Sequence, residues 1–174
     1  MKINSGIKIS GIPSKKELMN SPGYPSEEIQ KKKKVVLVEC VQEIPCNPCE
    51  EACKFGAIYV GKPITNLPQV DFEKCIGCGQ CIAKCPGLAI YLLDYNYNED
   101  EAAISFPYEY HPLPNEGEIV KAVNRKGDFM CEGKVIKVRN PKVNECTAVI
   151  TIAFPKKYYK EVRSIERIRS KKNA

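Results

Sequence analysis

Four cysteines fall within eleven residues, at Cys75, Cys78, Cys81 and Cys85, spaced x2, x2, x3 and followed by Pro86. No other stretch restricts the fold as much. This spacing lets the first three thiolates wrap one iron–sulfur cubane while the fourth is carried away by a turn of helix. Gly77 and Gly79 suit that role, because backbone crowding a cluster takes unusual φ/ψ and aims N–H groups at sulfur. A structural zinc site and a disulfide framework are the alternatives. Zinc knuckles, however, separate two Cys-x-x-Cys pairs by a longer loop than this run allows.

A second run precedes the first. Cys46, Cys49 and Cys53 reproduce its last three positions, but Glu43 stands where the first cysteine would fall. Cys40 lies three residues further upstream, directly after the β-branched, strand-length run Val35-Val-Leu-Val-Glu39. Pro45 and Pro48 stiffen the loop so that Cys40 can return to the cluster. A three-iron cluster, ligation by Glu43, and Cys40 as a plain strand cysteine stay open. After each run the chain repeats itself: Cys53-Lys-Phe-Gly-Ala57-Ile58-Tyr59 matches Cys85-Pro-Gly-Leu-Ala89-Ile90-Tyr91. The repeat predicts an internal duplication, each half reading strand, cysteine loop, short helix, strand.

Residues 35–95 resemble the bacterial two-cluster ferredoxin family. In that family the fourth cysteine of each run ligates the other cluster. The resemblance implies two [4Fe-4S] clusters, one held by Cys75, Cys78, Cys81 and Cys53, the other by Cys40, Cys46, Cys49 and Cys85. Two departures stand out: the widened Cys40–Cys46 spacing, and Lys54 in place of the proline that usually follows the fourth cysteine.

Ten cysteines argue for metal rather than disulfides in a reducing compartment. The start, Met-Lys-Ile-Asn-Ser-Gly-Ile-Lys, lacks the apolar stretch of a secretory signal, and no apolar run is long enough to span a bilayer. A cytoplasmic location is therefore expected. The formal charge of +6 is uneven: residues 1–35 carry eight basic and three acidic side chains, residues 36–97 four and seven, and residues 98–174 fifteen and eleven. Each oxidised four-thiolate cluster would add roughly two negative charges to the acidic middle, which the basic flanks partly offset. No alternation of basic and aromatic residues marks a groove for nucleic acid, and no such partner is expected.

Around residues 35–97, read as a dicluster domain, the chain divides into an extended arm over residues 1–34 and a small β-rich domain over residues 98–174. The arm holds Pro13, Pro22 and Pro25 and has no core of its own, with one possible helical turn at Ser14-Lys-Lys-Glu-Leu-Met; it is expected to order on a partner's surface, with a disordered tail as the alternative. In the last part, Ala102–Phe106, Ile119–Val123, Gly133–Val138 and Ala148–Ala153 read as strands, with a turn at Asn124–Gly127. Apolar residues every three or four positions from Tyr158 to Ile168 predict a closing amphipathic helix, with a strand as the competitor. His111, between prolines, reads as a surface residue, and Cys131 and Cys146, which lack metal-ligand spacing, read as buried or half-buried thiols, with a third metal site as the alternative. The expected class is α+β: a ferredoxin-like duplicated (βαβ)2 module, an extended arm, and a small antiparallel β domain ending in a helix.

The sequence has no Ser–His–Asp set, phosphate-cradling glycine loop, dinucleotide fingerprint or flavin site. Clusters without a substrate pocket read as an electron wire, and the arm and β domain as docking surfaces. Gly23-Tyr-Pro-Ser-Glu-Glu ahead of Val38-Glu-Cys-Val-Gln-Glu-Ile-Pro-Cys-Asn-Pro-Cys-Glu resembles iron–sulfur small subunits of flavin-dependent dehydrogenases, including those acting on amino or imino acids. That resemblance implies a non-catalytic subunit passing electrons between a flavin-containing subunit and another carrier. A free-standing ferredoxin, or a non-redox module whose clusters only hold a binding platform, are the other readings.

Overall fold

The computed structural model describes residues 6–144 and 146–169 of the 174. Residues 1–5 of the arm and the last residues of the β-rich region, 170–174, lie outside the described residues. Seven strands form one antiparallel sheet: β1 (Val35–Val38), β4 (Ile90–Asp94), β5 (Glu101–Tyr108), β6 (Ile119–Val123), β7 (Phe129–Arg139), β8 (Ala148–Pro155) and β9 (Ser164–Ile165). Their order is β1-β4-β5-β8-β7-β6-β9. The short strands β2 (Ile58–Tyr59) and β3 (Gln69–Val70) pair separately.

The β1–β4 pair explains how the parts join. Val35 opposes Leu93 and Leu37 opposes Tyr91, and these side chains face one core with Ile104, Phe106, Ile150 and Phe154. Val36 opposes Leu92 and Val38 opposes Ile90, and these face a second core containing Cys49, Ile58, Cys81 and Ile82. Both faces of the pair are covered, so β1 is an unbroken apolar run without alternation.

This corrects the expected (βαβ)2 module. Helix α4 (Pro48–Glu51) is the one helix of the duplicated region among the described residues, since the equivalent stretch after Cys81 forms turns. The free edge of β4 is taken by β5, through Leu92↔Ser105, Leu93↔Ile104 and Asp94↔Ala103. The outer strands thereby become part of a larger sheet.

That sheet curls. Two bulges bend β7, one opposite Ala122/Val123 and one between Val135 and Lys137. As a result Glu39, just after edge strand β1, meets Arg163, just before edge strand β9, at 2.7 Å.

The expected closing helix is absent. A 3-10 turn at Lys156–Tyr158 leads through further turns into β9. The i, i+3 spacing of Tyr159, Val162 and Ile165 buries all three in the sheet core without an α-helix. The arm is not extended either: its described part folds into α1 (Ile7–Ser10), α2 (Lys15–Asn20) and α3 (Glu27–Lys32), and the turn between α2 and α3 seats on the chain's own β1 end. Gly23 lies so close that an added Cβ would meet the Pro68 carbonyl oxygen at 2.7 Å, and its own carbonyl accepts from Val38 N–H.

α2 is short and held by a capping box, in which the Ser14 hydroxyl accepts from Glu17 N–H and Glu17 Oε2 accepts from Ser14 N–H at 2.6 Å. Ser14→Ala is expected to cost about 1 kcal/mol locally. Native-state hydrogen exchange would show it as faster exchange at Leu18 with little change in global melting.

α3 is tied to the far end of the chain through Glu27, which accepts from Lys160 Nζ at 2.6 Å and Tyr159 Oη at 3.0 Å. The Lys160 hydrogen bond, then those from Lys31 and Tyr159, hold the Glu27 carboxyl at about 2. A depressed carboxyl stabilises above its unfolded value and loses that contribution as pH falls through the folded one. This tie is exposed, and salt screens it.

Candidate metal centre

The cysteines gather around two hollows that share the β1–β4 pair as floor. Cys40, Cys46, Cys49 and Cys85 line the first, over Val38 and Ile90, in about 370 Å³ counted out to solvent. Cys53, Cys75, Cys78 and Cys81 line the second, over Val36 and Leu92, in about 310 Å³. The floors are offset by one two-residue step along the paired strands, about 7 Å.

Each hollow takes one cysteine from the other's run. Cys85 leaves its own run for the first hollow, and Cys53 leaves its run for the second. The repeat shows here in backbone chemistry: Ala57 N–H donates to Cys53 Sγ at 3.2 Å and Ala89 N–H to Cys85 Sγ at 3.4 Å. Hydrogen bonds of this kind orient a ligand sulfur and moderate its charge.

Local structure positions the rest. Pro48 opens α4, and Glu50 on that helix accepts from Val60 N–H at 3.2 Å and Gly61 N–H at 3.3 Å, fixing α4 to the end of β2. Cys46 N–H donates to the Ile64 carbonyl at 3.3 Å, and the Cys40 carbonyl accepts from buried Ser21. Gly77 and Gly79 take φ of 70° and 71°, left-handed values that cost other residues roughly 1–2 kcal/mol. A Cβ at Gly77 would lie 3.1 Å from the Lys34 carbonyl oxygen.

Burial favours the protonated thiol at four of these cysteines in the metal-free chain. It pushes Cys49 up to about 11 and Cys81 up to about 12, and also raises Cys40 and Cys85. Binding iron would displace these protons.

Four soft sulfur donors per hollow, an apolar lining and N–H groups aimed at sulfur fit a [4Fe-4S] group. Four thiolates on one zinc would sit about 3.8 Å apart. Among the described residues no group of three or more His, Cys, Asp or Glu converges to hold a single ion.

Other sequence candidates lie elsewhere. Glu43 and Lys54 are exposed and line neither hollow, His111 is exposed, and Cys131 is buried in the sheet core, but Cys146 is exposed rather than buried or half-buried, because it lies in the turn ahead of β8 and not in a strand. Sequence reasoning missed several cations. Lys33 Nζ donates to the Phe72 carbonyl and, at 3.5 Å, to that of Cys75. A Cβ added at Gly79 would lie 3.3 Å from the Arg139 guanidinium. Arg125 and Arg163 both reach Glu39, the neighbour of Cys40. The one local signal was an acidic residue ending an apolar strand.

Comparison with known proteins defines the class. Residues 68–91 match the family described as 4Fe-4S binding domain, so the chain carries a ferredoxin-type 4Fe-4S domain. It is similar to Protein Pixie of Drosophila melanogaster, 28% identical over 59% of this chain and 19% of that protein. It is also similar to a subunit of the ion-translocating oxidoreductase complex of Methanosarcina acetivorans, 47% identical over 28% of this chain and 17% of that one. The ferredoxin-type protein NapF of Haemophilus influenzae is 32% identical over 44% of this chain and 46% of that one. The chain thus spans less than half the length of each of these relatives. No solved structure matches it.

Proposed function

We propose that the protein holds one [4Fe-4S] cluster in each hollow and relays single electrons between a flavin-containing oxidoreductase subunit and another carrier. The observation that carries this reading is the pair of four-cysteine hollows on one strand pair, interlocked by exchange of Cys53 and Cys85. Cys40, Cys46, Cys49 and Cys85 would hold the first cluster, and Cys53, Cys75, Cys78 and Cys81 the second. A cluster so bound supplies one-electron exchange with little change in geometry. The chain's own residues orient the sulfurs, exclude water from the floor and keep the two sites one short step apart.

The flavin-containing partner is supported by the resemblance around Gly23–Glu50 and by a relative that itself belongs to an oxidoreductase complex. A reducing, cytoplasmic setting would keep the thiols available. Among the described residues no helix is long and apolar enough to cross a membrane.

Anaerobic purification from the native source, with identification of co-eluting chains and EPR before and after dithionite, tests the reading. A co-eluting flavoprotein and signals that appear on reduction are expected. A lone monomer with the same signals would indicate a free ferredoxin. Clusters that resist reduction would indicate a non-redox module.

A further inference from the structure

Two guanidinium groups from the C-terminal half converge on the one carboxylate that adjoins Cys40. Arg125, in the turn between β6 and β7, donates through Nε to Glu39 Oε2 at 2.5 Å and through Nη2 to Oε1. Arg163 donates through Nε to the same Oε1 at 2.7 Å. The side chains of Glu39 and Arg163 are 4% and 2% exposed, and that of Arg125 is 16% exposed.

The remaining donors go to neutral groups. Arg163 Nη1 donates to the carbonyls of Tyr159 at 3.2 Å and Val162 at 2.6 Å, and Nη2 to Tyr24 Oη at 3.4 Å. Arg125 Nη1 donates to the Lys160 carbonyl at 3.4 Å. The Arg163 guanidinium also lies over the Tyr91 ring, 5.8 Å from its centroid, and Tyr91 follows Ile90 of the first hollow's floor. Two guanidinium charges against one carboxylate leave one positive charge in excess, most of it out of water.

Stability does not require this arrangement, since a buried ionic triad is often matched or bettered by apolar side chains of similar volume. We infer that the Arg125–Glu39–Arg163 triad is a positioning and potential-setting device for the first hollow. Its bidentate grip fixes the end of β1 from which Cys40 is presented, and its excess positive charge raises the reduction potential there. Reduction adds one electron, and with it one negative charge, beside Cys40. Glu39 continues the Val35–Leu37 face of β1, so the triad lies across the strand pair from the hollow, and a largely buried positive charge there favours that state. The inference rests on the proposal that this hollow holds a cluster. It assigns a role in it to the β sheet beyond Tyr95, separate from any docking.

Arg125→Gln tests it, because the variant removes the excess charge and leaves Glu39 paired with the more buried Arg163. The readout is an EPR-monitored potentiometric titration of the cluster-loaded protein, with a melting curve to confirm folding. One midpoint should fall, by on the order of tenfold in the reduced-to-oxidised ratio at fixed potential, about 59 mV for one electron, while the other stays put. The centre that moves should be the one lost in Cys85→Ser. Arg125→Lys, which keeps the charge, should restore most of the shift. Two unmoved midpoints, two that move together, or a lysine variant that behaves like glutamine would overturn the inference. Absence of clusters from the unmutated protein would instead sink the proposed function, which iron and sulfide analysis of the same sample reveals separately.

Discussion

Cys85→Ser is expected to abolish the centre beside Cys40, Cys46 and Cys49 and to spare the one beside Cys75, Cys78 and Cys81, lowering iron from about eight to about four per chain. The expectation runs against sequence proximity. Cys85 ends the run that begins at Cys75, yet it lines the first hollow, where its sulfur accepts from Ala89 N–H. The reciprocal Cys53→Ser should remove the second centre. Iron and sulfide analysis with EPR of both variants decides the matter, and loss of the Cys75–Cys81 signal from Cys85→Ser would disprove the exchange.

Glu39→Gln should be strongly destabilising, costing about 3–5 kcal/mol, because breaking a buried ion pair from one side leaves an uncompensated charge. In the native protein burial opposes ionisation of Glu39, but the charge of Arg163 and the hydrogen bond and charge of Arg125 outweigh it and hold the carboxyl below the usual range. Removing the carboxylate strands Arg163 with carbonyl and tyrosine partners alone, and frees the edge of β1 from the residues that precede β9. Chemical denaturation of the metal-free proteins measures the loss. Arg125→Gln, which leaves the inner pair intact, should cost much less. Equal losses in the two variants would show that the seam is held by packing rather than by the buried charge.

The cysteine spacing was legible because most of the ligand chemistry is local: three cysteines of each set recur at short intervals, and the alanines whose N–H groups reach Cys53 and Cys85 stand four residues after them, while the fourth cysteine of each set comes from the other run. The strands from Ala102 to Ala153 were legible for a similar reason, as β-branched runs bounded by turns. Their union with β1 and β4 was not. It depends on pairing such as Leu93↔Ile104, and on a β1 whose two faces serve different cores, which a continuous apolar run records without saying what lies on each side.

The arm's helices have four to six residues, too few to show a period, although Ser14 and Glu17 carried the capping signal of α2. At the tail, Tyr159, Val162 and Ile165 fit a helix and a turn equally well. The burial of Arg163 between them depends on Glu39, 124 residues away. Long-range electrostatics of this kind leaves little local trace, here only an acidic residue at the end of an apolar strand.

Metal and acid-labile sulfide analysis of the anaerobically purified chain tests the two-cluster claim most directly. About eight irons and about eight sulfides per chain are predicted, with little zinc. Four irons, seven irons with a three-iron EPR signal, or zinc without sulfide would contradict it.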